Sequence, residues 1–433
     1  MRISFIGHAS VLVKTGPVAL LMDPWLQGDI FNESWTLHPD PVLSEEDIAR
    51  VTHIWISHEH PDHLSVATLR GIPEERRSAI TALFQNFYSD EIRKILVSLR
   101  FKEVIVLPRA RFFALAPGVE VYCRQVGHLD SSLAVRAEDK ILLNINDCDL
   151  PVSTMRSMRR DLGPVDVLLD QFSIAGWPGN ADDARRKEES RRRVMRKFLQ
   201  DIETFEPRYV IPFASFVRFS HRENAHMNLH VNTVDDVVER VAPSRLVVMY
   251  PGDVWDLGGP FAGTARAVER YRSDFRRIKD LPTKNHEVVP IEKILATVDK
   301  RIQDLRLRYH GVFLRWFPPV TFYLEDLDRA LEVDVRRGVR EIALARNDCM
   351  VRLSSQAMWH TFHFRWGLPT LGVSGRMSLN SQELPFRRLK KLGALYSSKV
   401  YTREASSFLN RRLLGYLWER RRDLYSQYLR RVI

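Results

Sequence analysis

The sequence predicts an α/β protein: a four-layered αββα sandwich over residues 1–258, followed by a smaller α+β unit over 259–433. Three observations predict it. Short apolar runs alternate with turns and helical stretches in two β-rich blocks across the first part of the chain. One of these runs, His53-Ile54-Trp55-Ile56, opens directly into Ser57-His58-Glu59-His60-Pro61-Asp62-His63, a ligand-rich loop at a strand end. The pattern then changes after Tyr250-Pro251-Gly252-Asp253, where helical connectors replace alternating strands.

Taken in order, a strand over 3–6 runs into a Gly7-His8 turn. Strands over 11–13 and 18–22 form a hairpin around Gly16-Pro17. Ser44 caps a helix, with Asp47 at its third position. The strand over 53–56 cannot pass Pro61, and a helix follows near 66–70. Further strands fall over 104–107, 119–122, 140–145, 165–169 and 209–213, with a long helix over about 182–203. Beyond 258 the reading is a helical connector, strands over 342–344, 350–353 and 371–373, a helix over 354–364, and a turn at Gly367-Leu368-Pro369.

A chain of 433 residues with 45% hydrophobic and 27% charged residues can bury a large core, which excludes disordered and fibrous classes. No apolar run is long enough to span a bilayer, and the first residues lack a signal-peptide core. Cys123, Cys148 and Cys349 are odd in number and widely spaced, which argues against a disulfide framework and fits a reducing cytoplasm. The net charge of +11 concentrates in two stretches, Arg185 to Lys197 and Arg411 to Arg431. Both read as solvated helix faces, with attraction of a small anionic substrate or an acidic partner as the sharper reading. No nucleic-acid module is present.

Three imidazoles and a carboxylate within six positions point to metal. In extended chain, His58 and His60 share a side, and the turn at Pro61 swings Asp62 and His63 to a second position. Imidazole with carboxylate and no thiolate suits zinc, iron or manganese. Other metal-capable side chains fall just beyond later strands: His128, Asp147 and His221, with His226 and His230 near enough to substitute for the last. His58, His60 and His128 could hold one ion; Asp62, His63 and His221 the other; Asp147 could bridge them. His8 and Asp23 sit at strand ends as groups that orient ligands. Asp170 lies on the same rim, and Trp25, Phe31 and Trp35 are candidate wall residues.

This order, H-x-H-x-D-H, then His, Asp and His, resembles the metallo-β-lactamase superfamily. Gly7-His8-Ala9-Ser10-Val11 with Met22-Asp23-Pro24-Trp25-Leu26 is similar to the branch that includes ascorbate-6-phosphate lactonase. The stretch from Gly28 to Pro39, Lys140 to Cys148, Pro212 to Val217 with Ser220-His221, and Pro251-Gly252-Asp253-Val254-Trp255-Asp256-Leu257 more specifically resemble the CMP-N-acetylneuraminate hydroxylases. That resemblance spans roughly 5–258 and implies two divalent metal ions, iron favoured over zinc, in a non-haem di-iron oxygenase. The Rieske cluster of those hydroxylases has no Cys-x-His counterpart here, so the resemblance implies an external ferredoxin or Rieske protein as electron donor. The wider superfamily implies a dinuclear zinc hydrolase of an anionic ester, lactone or phosphoester as the alternative. A metal-stabilised binding protein without catalysis is the third reading.

Overall fold

The computed structural model describes residues 1–86, 90–127, 130–381 and 384–397, together with Leu414, Gly415, Trp418 and Arg421. Two mixed sheets face each other. The first has seven strands in the order Val254–Asp256, Arg2–Gly7, Ser10–Thr15, Val18–Met22, His53–Ile56, Thr81–Gln85, Glu103–Leu107. The second has six, in the order Tyr209–Phe213, Val167–Gln171, Lys140–Asn146, Asp130–Ala137, Val119–Val126, Phe112–Ala116.

Strand periodicity explains why both faces of the first sheet are apolar. Phe5, Val11, Val13, Leu20 and Trp55 point into the space between the sheets. Ile6, Leu12, Leu21, Ile54 and Ile56 point outward under helices such as Glu91–Ser98. On the second sheet, helices Val152–Leu162 and Ala184–Phe205 supply Met155, Met158, Phe198 and Ile202 to the same core. The result is the expected αββα order of layers. The predicted cap forms, Ser44 accepting from the Asp47 amide; Ser354 also caps its helix, accepting from the amide of Ala357.

The C-terminal unit is α+β, as expected, but its parts differ from the sequence reading. Its sheet runs Gly338–Ile342, Arg329–Asp334, Val320–Leu324, Val351–Leu353, Ser378–Leu379. The strand read at 342–344 therefore ends where it was expected to begin, and two strands before it went unread. The turn at Gly367-Leu368-Pro369 and the strand at 371–373 are together one helix, Gly367–Ser374. Pro369 sits in its first turn, where a missing N–H is harmless. Most of the basic segment from Arg411 onward lies outside the described residues.

Helix Thr264–Arg277 packs on the first core through Ala267, Val268 and Tyr271, whereas the second core begins at Val289. We propose that the division between the two units falls between Tyr271 and Val289, after this helix. Among the described residues, no helix is long and apolar enough to cross a membrane.

Candidate metal centre

The histidine-rich loop starts from a fixed point. His53–Ile56 is paired in parallel on both sides, to Val18–Met22 and Thr81–Gln85. Ser57 then ties the loop to both sheets. Its amide donates to Asp23 Oδ1 at 2.7 Å, and its carbonyl accepts from Gln85 Nε2 at 3.1 Å and Ser131 Oγ at 2.6 Å. His8, Asp23 and Asn146 meet this loop from three other strand ends, each with a left-handed backbone (φ 44, 42 and 57°). His, Asp and Asn tolerate that region better than most residues.

His58 and His60 do share a side: His58 Nε2 is 2.9 Å from His60 Nδ1. Asp147 comes from the second sheet, its Oδ2 3.8 Å from His58 Nε2 and its Oδ1 3.7 Å from His63 Nε2. Asp62 Oδ2 lies 3.3 Å from His63 Nε2 and 3.4 Å from His8 Nε2. Asp23 Oδ2 holds His63 Nδ1 at 2.8 Å and accepts from Asn146 Nδ2 at 3.0 Å. Two donor sets thus close to within 4.8 Å: His8, Asp62 and His63; and His58, His63 and Asp147.

Burial and charge oppose each other here. Burial drives the His58 and His60 imidazoles towards the neutral form, and a neighbouring histidine adds to it in each case. Burial would do the same to His63, but Asp62, Asp147 and Asp23 outweigh it and hold that imidazole well above its ordinary range. Asp62 is likewise disfavoured by burial yet held well below the carboxylate range by His63 and His8. The Cys148 thiol is pushed well up by burial, then by Asp130 and Asp147, and it is in neither donor set.

These residues fit a metal ion. His63 Nε2, Asp62 Oδ1 and Asp147 Oδ1 are buried and lack hydrogen-bond partners. An unsatisfied buried polar group costs about 1–3 kcal/mol, and His63 Nε2 and Asp147 Oδ1, 3.7 Å apart in one donor set, would both be satisfied by a shared cation.

The remaining candidates are distributed unevenly. His128 lies outside the described residues. His221 joins neither donor set; its Nδ1 is 3.2 Å from Glu223 Oε2, and its Nε2 is buried without a partner. Burial, with Arg376 nearby, pushes its imidazole down to about 4. His226 and His230 lie in the turn Ala225–His230 beside Lys187. Asp170 pairs in register with Asn146 but bonds Lys197 on the long helix at 3.5 Å. The aromatic wall forms: Trp25 and Trp35 pack edge-on to His8, and Phe31 to His60. Sequence reasoning missed Ser57, Asn146, Glu223 and Arg376. For Asn146 a signal existed, since two asparagines on a buried strand beside Asp147 require partners.

Residues 2–131 match the model of the beta-lactamase superfamily domain. The sandwich with its histidine-rich strand end is thus similar, over these residues, to the domain of that superfamily. Within the superfamily, the chain resembles the hydroxylase named above. It is 26% identical over 289 residues to cytidine monophosphate-N-acetylneuraminic acid hydroxylase of Mus musculus, covering 60% of this chain and 47% of that protein. The chain therefore spans about half the length of the curated relatives it matches. Among solved structures, CmlA, a diiron beta-hydroxylase from Streptomyces venezuelae, is 16% identical with a TM-score of 0.36, covering 66% of this chain and 52% of that one. An isothiocyanate hydrolase from Delia radicum gut bacteria is 15% identical with a TM-score of 0.42, covering 59% and 98%.

Proposed function

We propose that this chain is a metal-dependent hydroxylase with a dinuclear non-haem centre, iron favoured over zinc, acting on a small anionic substrate with electrons from an external ferredoxin or Rieske protein. The observation that carries the reading is the convergence of unpartnered imidazole and carboxylate atoms in a domain similar to a hydroxylase. His58, His60 and His128 would hold one ion, Asp62, His63 and His221 the other, with Asp147 between them. Two irons bound there would supply the binding and reductive activation of dioxygen.

The protein's own groups prepare that chemistry. Asp23 holds the proton on His63 Nδ1, so Nε2, which faces Asp62 and Asp147, is the atom that a bound ion would take in place of a proton. His8 faces Asp62 and can take or return a proton at Nε2. Trp25, Trp35 and Phe31 close one side against water. The +11 net charge favours an anionic substrate.

The test is the metal content of wild-type protein and His58→Ala, purified from cells replete in iron and zinc without chelator. About two irons per chain, lost in the variant, support this reading. About two zincs support the hydrolase alternative and redirect assays to anionic esters, lactones and phosphoesters. Wild-type protein that neither contains nor takes up metal would overturn both catalytic readings.

A further inference from the structure

The C-terminal unit is anchored to the first unit at two places. At one, the buried Arg376 guanidinium donates through Nη1 to the Asn32 carbonyl at 2.8 Å, and through Nε to Glu223 Oε2 at 2.6 Å in the loop of His221. Trp35 Nε1 adds a bond to the Val373 carbonyl. A buried guanidinium is retained only where acceptors meet its fork on several sides, so this anchor fixes direction as well as place. At the other, Arg365 pairs with Glu91, the first residue of helix Glu91–Ser98.

Sheet order shows what lies between the anchors. Val18–Met22, His53–Ile56 and Thr81–Gln85 are neighbouring parallel strands, so the segments that follow them leave one edge of the sheet side by side. Asn32 belongs to the segment after the first strand and Glu91 to that after the third; the histidine-rich loop follows the middle one. Helix Ser355–His363 joins the two anchors. Gln356, in its first turn, accepts from Arg376 Nη2 at 2.7 Å, and Arg365 lies just beyond its last residue. Its nine residues are about 13 Å long, enough to cross two strand spacings of about 5 Å each. The helix turns Ala357, Met358 and Phe362 into the second core. Gln356, His360 and His363 form the opposite stripe, half-buried to exposed, at i, i+4 and i+7. Gln356 meets Arg376 on the side of the first unit, and His360, one turn further, faces the same way, over the histidine-rich loop.

We infer that helix Ser355–His363 roofs the candidate metal centre and that His360 faces its opening as a substrate-contact residue, donating a hydrogen bond to an oxyanionic group of the substrate. The inference rests on the proposed metal reading. Arg376 is engaged by Glu223, Asn32 and Gln356, which leaves His360 as the donor for a ligand. Burial, then Arg376 and His363, push its imidazole down to about 4, so at neutral pH the ring offers one N–H and one bare nitrogen rather than a charge. Phe364, its ring centroid 4.4 Å from that of His360 and its side chain 46% exposed, gives the contact an apolar flank.

The test is nuclear magnetic resonance of the full chain with isotope-labelled histidine, loaded with manganese(II) or with zinc(II). The His360 ring signals are assigned with His360→Gln or, should that variant misfold, His360→Asn. Manganese is expected to broaden these signals relative to zinc. Glutarate, a flexible dicarboxylate, is expected to shift them in the zinc-loaded protein. The variant is expected to bind glutarate about tenfold or more weakly, with metal content and melting temperature unchanged. Sharp His360 signals in protein that holds manganese overturn the roof and the contact together. Broadened signals with no glutarate shift, or with wild-type glutarate affinity in the variant, overturn the contact. Protein that takes up neither metal overturns the metal reading, and the inference with it.

Discussion

Asp23 Oδ2 accepts from His63 Nδ1 and Asn146 Nδ2 while Oδ1 accepts from the Ser57 amide, so a single carboxylate orders residues from both sheets. In Asp23→Asn the amide can donate to His63 Nδ1 and shift the proton to Nε2. Zinc affinity is expected to fall by about 10–100-fold in a competition titration with a chelator. Asp170 makes a different prediction. Burial raises its carboxyl well above the ordinary range; Lys197 offsets part of this and Asp201 adds to it. The folded state therefore holds this proton more tightly than the unfolded chain does. The stability linked to it is whole below the ordinary aspartate range and is lost as pH rises through the raised value. A carboxamide does not titrate, so the melting temperature of Asp170→Asn relative to wild type is expected to climb as pH rises above the ordinary aspartate range; a flat difference would refute the raised carboxyl. At this scale the sequence is legible where ligands are neighbours, as in His58 to His63. It is silent where partners are remote: Asn146 reaches Asp23 across 123 residues and Arg376 reaches Glu223 across 153.

Elements were legible where one periodicity dominates. The long helix Ala184–Phe205, the hairpin Ser10–Thr15 with Val18–Met22, the cap Ser44 and the helix Ser355–His363 follow from local pattern. The helix Gly367–Ser374 was missed because Gly367, Pro369 and Gly372 read as breakers. Proline in a first turn and glycine after the last turn delimit a helix rather than abolish it. Gly375 ends it with φ 68°, and a Cβ there would collide with Met227 Sδ. Gly375→Ala is thus expected to cost about 1–3 kcal/mol, from the left-handed backbone and the displaced methionine, measured by urea denaturation. Ser354→Ala, which removes a cap and a contact of Arg376, is expected to cost at least about 1 kcal/mol.

For the whole molecule, the αββα order of layers could be read from the sequence because buried strands announce themselves, but the seam between the cores could not. Helix Thr264–Arg277 is amphipathic, and its sequence does not say which core its apolar stripe covers. Since Ala267, Val268 and Tyr271 complete the first core, a fragment of residues 1–258 is expected to melt at lower temperature than one of 1–281 and to bind more of a hydrophobic dye. Equal melting curves would place the seam before the helix. The grip of Arg376 on Asn32 spans 344 residues of chain, which gives the molecule an order of assembly in time. During synthesis, His58, Asp62, His63, Asp147 and His221 have all left the ribosome while the arginine that clamps their loops is still to be made. A nascent chain can collect a first ion early, but the loop bearing His221 gains its buried clamp only when the C-terminal unit has emerged and folded. Interruption late in translation would then leave a protein that looks folded in its first domain while its His221 loop still lacks its buried clamp.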